Sequence, residues 1–146
     1  MYYLQQEEVR TTRELAEQFF ALAESQRDPG SLTEACRMLG VISYWVGDFE
    51  AARAHFEQAF SWCDRHQRHS LAVVYGVDPG VSCLCYNAWV SWYLGFPDQA
   101  LQYSQEAIAL AREASHLPTL ALALNTGAWT RNYRRESQAA YELAEE

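Results

Sequence analysis

The chain of 146 residues contains no lysine, so all eleven of its basic residues are arginine. Nineteen acidic residues outnumber them, and the formal net charge is −8 at pH 7. Proteins that bind a nucleic-acid backbone concentrate positive charge on one face. The acidic balance therefore argues against a nucleic-acid partner.

Long apolar runs are also missing from the sequence. No stretch approaches the roughly 18–20 apolar residues that a membrane-spanning helix needs. Residues 1–8 have neither the basic region nor the apolar centre that is typical of a signal peptide. We therefore expect no membrane partner and a cytoplasmic location.

Motifs that carry catalysis or hold a cofactor are absent from the sequence. There is no Gly-x-x-x-x-Gly-Lys-Ser/Thr loop to hold a phosphate, and no nucleophile–base or paired-carboxylate set with a specific spacing. His66 and His69 would share one face of a helix, but no carboxylate or thiol completes a metal site around them. We expect no enzyme activity, no cofactor and no metal. We expect reduced, buried thiols at Cys36, Cys63, Cys83 and Cys85.

What the sequence does contain is a repeated helix-hairpin pattern. Gly47 and Gly95 each mark a turn, and each turn follows an apolar segment that carries aromatic residues. Small residues recur at equivalent positions on both sides of the turn, where they allow two helices to approach closely. They are Gly40, Ala88 and Ala128 before the turn, and Ala52, Ala100 and Ala140 after it, with Ala16 matching the second set.

This register predicts an all-α fold, an α-α superhelix of about seven antiparallel helices in a single domain, 1–146. We expect Ser31 or Thr33 to cap the second helix and Asp78 to cap the fourth. The predicted helices span 3–27, 32–46, 49–66, 80–94, 97–115, 118–133 and 135–145. They form a half repeat (3–27), a repeat (32–66), a linker (67–79) that packs as a spacer, and two further repeats (80–115 and 118–145).

The residues Leu39-Gly40, Tyr44, Gly47-Asp48-Phe49, Ala52, Phe56 and Ala59 resemble the tetratricopeptide repeat (TPR), although these repeats exceed the family's usual length of about 34 residues. The segments 75–84, 88–89 and 94–101 are similar to the carboxy-terminal repeat region of bacterial adenylate/guanylate cyclase–ATPase signalling proteins. This resemblance implies a solenoid that serves as the regulatory repeat segment of a signalling protein. We interpret the chain as a fragment of a longer protein.

In such a solenoid, the first helix of each hairpin lines a concave groove. The predicted function is a non-catalytic interaction module that binds a peptide or partner domain there. Two alternatives stay open: the rings fill the core between helices, or the groove senses a small effector. An enclosed pocket would favour the sensor, and an open groove would favour the partner. The candidate partner-binding residues are Arg37, Val41, Tyr44, Trp45, Cys85, Tyr86, Trp89, Tyr93, Asn125, Trp129, Asn132 and Tyr133.

The first and last predicted helices carry more apolar residues than one neighbouring repeat can cover. The first helix presents Leu15, Phe19, Phe20 and Leu22, and the last presents Ala139, Ala140, Leu143 and Ala144. Exposed apolar faces tend to associate. We therefore expect a homodimer through the end helices, with the amino-terminal helix as the more favourable surface.

Overall fold

A computed structural model describes residues 2–63 and 68–146, and the side chains of 7–63 and 70–146. This part of the chain forms eight α-helices and no strand, which confirms the all-α prediction. The predicted number of seven is wrong, because a short helix occupies the linker. The helices are α1 (Tyr2–Gln26), α2 (Pro29–Val46), α3 (Phe49–Trp62), α4 (Arg68–Tyr75), α5 (Pro79–Tyr93), α6 (Pro97–Ala114), α7 (Leu117–Tyr133) and α8 (Ser137–Glu145).

Aspartates begin three of these helices. Asp28 accepts a hydrogen bond from the Ser31 backbone N–H at 3.1 Å, and Pro29 occupies the first turn, so α2 starts three residues earlier than predicted. The cap is therefore Asp28 and not Ser31 or Thr33. Asp48 caps α3 and Asp78 caps α5, the latter as expected. A side-chain oxygen here satisfies backbone N–H groups that have no partner inside the helix.

The turns between α2 and α3, between α5 and α6, and between α7 and α8 each contain a residue in the left-handed backbone conformation. Gly47 has a φ of 84° and Gly95 a φ of 87°, values that glycine adopts without steric cost. The third turn uses Arg135, whose φ is 62°. Its Cβ makes this conformation costlier by roughly 1–2 kcal/mol. The missing glycine explains why the repeat pattern is weakest there, and α8 begins at Ser137 rather than at residue 135.

The helices pack as neighbours in a regular order. Helix α2 packs on α3, α5 on α6 and α7 on α8, as the three predicted hairpins require, and α1 packs against α2. Each pair contacts the next through α3 with α5 and α6 with α7. Helices α2, α5 and α7 also contact one another in sequence. This order brings the first helices of the three pairs side by side.

Small residues lie at the close contacts between paired helices. Ala52, Ala100 and Ala140 are buried, as is Ala16 on α1. A Cβ built on Gly40 would lie only 2.6 Å from Phe56 Cε1, so the ring packs directly on the glycine backbone. Large side chains fill the spaces between these contacts. The buried clusters include Phe56, Val90 and Cys83 around α3 and α5, and Val81, Leu84, Ile108 and Leu124 around α5, α6 and α7.

The linker folds into α4 and only partly packs as the sequence predicted. Ala72 is buried and Leu71 lies against Gly30 of α2, whereas Val73 and Val74 are exposed. The linker is tied to α7 by the Asp78 backbone N–H, which donates to Thr119 Oγ1 at 2.9 Å. One packed face is enough for a segment that connects two pairs of helices.

The predicted pair of His66 and His69 lies outside the residues whose side chains are described. Among the side chains that are described, no three His, Cys, Asp or Glu residues are grouped as metal ligands. None of the described helices is long and apolar enough to cross a membrane.

Candidate functional site: an aromatic face on four helices

Ten aromatic rings form one connected network over α2, α3, α5 and α7. Neighbouring ring centroids are 4.3–6.3 Å apart, within the range in which aromatic pairs attract each other. We call this network the aromatic face. It comprises Tyr44, Trp45, Phe49, Phe56, Tyr86, Trp89, Trp92, Tyr93, Trp129 and Tyr133.

Tyr44 lies at the centre of the half-buried part of the face. Its ring centroid is 5.5 Å from that of Tyr86, 6.2 Å from Trp89 and 6.1 Å from Tyr93. Burial, reinforced by the neighbouring tyrosines, raises the pKa of Tyr44 to about 12, so the phenol stays neutral at physiological pH. Trp129 continues the network onto α7, with its ring 6.3 Å from Trp89. These rings fill the space between first helices and form a rigid platform.

Three rings of the face are exposed, and all three occupy the same position in their helices. Trp45 is 74% exposed, and Tyr93 and Tyr133 are each 50% exposed. Each lies two residues before the left-handed residue of its turn, namely Gly47, Gly95 or Arg135. We call Trp45, Tyr93 and Tyr133 the exposed ladder. The predicted groove is therefore partly core and partly accessible surface.

The platform holds the ladder in place. Tyr93 stacks on Phe49 with a centroid distance of 4.9 Å and an interplanar angle of 6°. The Tyr133 ring lies 4.3 Å from Trp129, four residues earlier on α7. The Trp45 ring meets Tyr44 edge-on at 5.4 Å. Rings that are fixed in this way lose little conformational entropy when a partner binds.

Two of the predicted partner-binding residues are far less accessible than the exposed ladder. Cys85 is completely buried in the core between α5, α6 and α7, and burial raises the pKa of its thiol to about 12. The Arg37 guanidinium is engaged by Glu34, with Nε donating to Oε2 at 2.7 Å, and it also contacts Ser82 Oγ at 3.4 Å. Arg37 therefore ties α2 to α5 and has its charge already paired.

The remaining predicted residues lie at the edges. Val41 is half-buried and borders an open cleft of about 570 Å³ between α1 and α2, which Glu8, Thr12 and Trp45 also line. Asn132 is exposed at the end of α7. Asn125 borders a second open cleft, of about 440 Å³, between α7 and α8. Neither cleft is an enclosed pocket with converging polar groups.

Phe49, Phe56 and Trp92 belong to the face although the sequence analysis did not include them among the binding residues. Trp92 packs edge-on against Trp129 and Tyr133, at 6.2 and 5.5 Å. The sequence feature that could have identified Trp92 is the aromatic pair Trp92-Tyr93, which precedes the Gly95 turn. Phe49 belongs to the second helix of its pair, so a rule that takes only first helices misses it.

Two pairs of groups with catalytic chemistry are structural here. His116 Nδ1 lies 2.8 Å from Thr119 Oγ1, but Thr119 is completely buried and already accepts the Asp78 N–H. Cys36 Sγ lies 3.8 Å from His55 Nδ1, yet burial raises the pKa of Cys36 to about 11. A buried, protonated thiol is a poor nucleophile.

No protein-family model matches the chain, and no curated protein shows significant similarity to it. The function of the chain must therefore be argued from the aromatic face.

Proposed function

We propose that the chain is a non-catalytic protein-interaction module that binds a peptide or extended partner segment on its aromatic face. The observation that carries this proposal is the exposed ladder. Trp45, Tyr93 and Tyr133 project from the same position of three neighbouring helices, above a platform of half-buried rings. Trp and Tyr are enriched among the residues that contribute most to binding energy at interfaces.

The proposal includes an α-α superhelix of the TPR type. The order of helix contacts supports it, because first helices contact first helices and each second helix contacts the next first helix. The resemblance of residues 39–59 to the repeat motif supports it as well. Because of that resemblance, we also propose that the chain is a regulatory segment of a bacterial signalling protein.

The arrangement favours a peptide over a small effector molecule. Small-molecule sites enclose most of their ligand in a concave pocket. The ladder instead extends over three helices, and the cleft that Trp45 lines is open. We also propose a cytoplasmic location, which the four free cysteines support.

The test is a selection from a library of random linear peptides, followed by affinity measurements with purified full-length chain. The variants Trp45→Ala and Tyr93→Ala should each weaken the selected peptides at least tenfold, since truncating an aromatic anchor costs about 2 kcal/mol or more. Fluorescence polarisation measures the affinity, and melting curves check that both variants fold.

The matched control is Tyr141→Ala. Tyr141 is 59% exposed on α8 and lies outside the aromatic face. Its removal should leave the affinity unchanged. If Tyr141→Ala weakens the peptides as much as Tyr93→Ala does, or if no selected peptide responds to the ladder variants, the proposed function is wrong.

A further inference from the structure

The exposed ladder has a repeat distance that selects among peptide conformations. Its three rings project from equivalent positions of α2, α5 and α7, which contact one another in that order. Packed helices lie about 8–10 Å apart. Equivalent positions on neighbouring helices therefore recur at roughly 9 Å, and a ligand suited to the ladder would present side chains of one kind at about that interval.

Polyproline II meets this requirement better than the other regular conformations. It rises about 3.1 Å per residue with three residues per turn, so one face repeats every 9 Å or so. A β-strand repeats its face at about 6.7 Å, and an α-helical turn rises about 5.4 Å. Proline rings also pack well on Tyr and Trp, as in the known aromatic grooves that bind proline-rich segments.

Charge is distributed unevenly along the ladder. Near Trp45, Glu8 lines the same cleft and Asp48 is exposed at the adjoining turn. Near Tyr133, the carboxylates are matched by arginines: Arg131 and Arg134 both contact Glu136, at 3.1 and 2.8 Å. The Trp45 end is therefore the acidic end of the ladder, and the open cleft there has room for a long side chain.

We infer that the aromatic face takes a proline-rich segment of a partner protein in the polyproline II conformation, with a basic side chain at the Trp45 end. The three ladder rings contact successive turns of the segment, and Glu8 with Asp48 faces the basic group. This inference rests on the proposed function and specifies the chemistry of its partner.

The test uses full-length chain and a synthetic peptide of about twelve residues built from Pro-Pro-Ala triplets, with one terminal arginine. The all-D peptide of the same sequence is the control, because it has the same composition and charge but forms the mirror-image helix. The L-peptide should bind at least tenfold more tightly than the all-D peptide. Equal affinities, or no binding of the L-peptide, would overturn the inference.

Variants locate the peptide on the face. Trp45→Ala and Tyr93→Ala should each weaken the L-peptide at least tenfold, and Tyr141→Ala should not. Trp45 is the safer variant for folding, because Tyr93 also stacks on Phe49. Glu8→Gln should weaken the arginine peptide several-fold and leave a peptide without arginine unchanged. An L-peptide that binds with equal affinity to all four variants contradicts the proposed position.

The two proposals fail in different ways. If library-selected peptides without proline depend on Tyr93 while the Pro-Pro-Ala peptide does not bind, the polyproline inference is wrong and the proposed function stands. If neither kind of peptide depends on Trp45 or Tyr93, both are wrong.

Discussion

At the scale of single residues, two glycines lie directly beneath side chains of a facing helix, and those side chains differ in stiffness. A Cβ on Gly40 would meet three atoms of the Phe56 ring at 2.6–2.9 Å. A Cβ on Gly127 would meet terminal methyl groups of Ile108 and Leu143, at 2.6 and 3.0 Å. A buried ring cannot bend away, whereas an isoleucine terminus can change its rotamer.

We predict that Gly40→Ala lowers the free energy of unfolding by about 1–3 kcal/mol, the usual cost of overpacking. The gain in helix propensity, roughly 1 kcal/mol, offsets only part of that contact. Gly127→Ala should be closer to neutral, because the same gain opposes contacts that the ends of flexible side chains can relieve. Urea denaturation of both variants measures the difference. If Gly127→Ala is the more damaging of the two, the contact between Gly40 and Phe56 is less close than described.

His55 makes the free energy of unfolding depend on pH. Burial, helped by the nearby positive charge of Arg13, lowers the pKa of His55 below its usual 6.5. The unfolded chain therefore binds a proton more readily than the folded chain does. It follows that this contribution to stability is present above about pH 6.5 and is lost as the pH falls through the folded-state pKa.

We predict that unfolding free energies measured by urea denaturation decrease from pH 7 to pH 5, and that His55→Gln flattens this part of the profile. Carboxylates with lowered pKa, such as Asp28 and Glu136, act at more acidic pH. A His55→Gln profile that is as steep as the original would show that His55 does not cause the decrease.

At the scale of helices, the aspartate caps differ in their surroundings. Asp78 is completely buried, and its Oδ1 accepts the N–H groups of Gly80 and Val81 at 2.8 and 3.3 Å. Asp48 is exposed, and among the described residues its side chain accepts one hydrogen bond, from the Ala51 N–H at 3.2 Å. Water can replace the Asp48 carboxylate but has no ready access to the buried start of α5.

We predict that Asp78→Ala lowers the free energy of unfolding by about 2–4 kcal/mol, because it removes the cap and leaves buried donors without a partner. Asp48→Ala should cost about 1 kcal/mol or less. Thermal or urea denaturation compares the two variants. Equal losses would mean that burial does not increase the importance of the cap.

Local chemistry determines how accurately the helix boundaries can be predicted from the sequence. Glycine turns and aspartate caps fixed most boundaries within one residue. The prediction was off by two residues where Arg135 replaces glycine and by three where Asp28 begins α2, and α3 ends at Trp62 rather than at residue 66. Helix α4 was missed because its eight residues give too little periodicity. Such short segments depend on tertiary contacts, here that of Leu71 with Gly30.

The site was less predictable than the helices. The repeat register identified three of the helices and most of the rings that make up the aromatic face, since aromatic residues recur at equivalent positions. It could not separate Cys85, which packs into the core, from Tyr93 on the same helix, which is exposed. That difference depends on which neighbouring helix covers each side of α5, and no local pattern encodes it.

At the scale of the whole molecule, apolar surface remains on the outer helices. Leu15 and Leu22 are exposed on α1, and Leu117 is exposed at the start of α7 beside the open cleft that Leu143 also lines. Exposed leucines on one helix provide a self-complementary surface, which a two-fold symmetric dimer can bury.

We predict that the chain forms a homodimer through α1, so that light scattering gives twice the monomer mass. The double variant Leu15→Glu with Leu22→Glu should be monomeric at the same concentration. Val73→Glu changes an equally exposed aliphatic residue on α4 and should leave the dimer intact. A monomeric unmodified chain, or a dimer that only Leu117→Glu disrupts, would contradict the interface on α1.

The order of helix contacts also determines the order in which the helices unfold. Helix α1 packs mainly on α2 and α8 mainly on α7, while α5 touches α2, α3, α4, α6 and α7. The outer helices can therefore detach one at a time with little effect on the centre, whereas α5 opens only when the whole molecule does. Because most partners are neighbours along the chain, closing these contacts costs little loop entropy, and the chain is expected to fold fast.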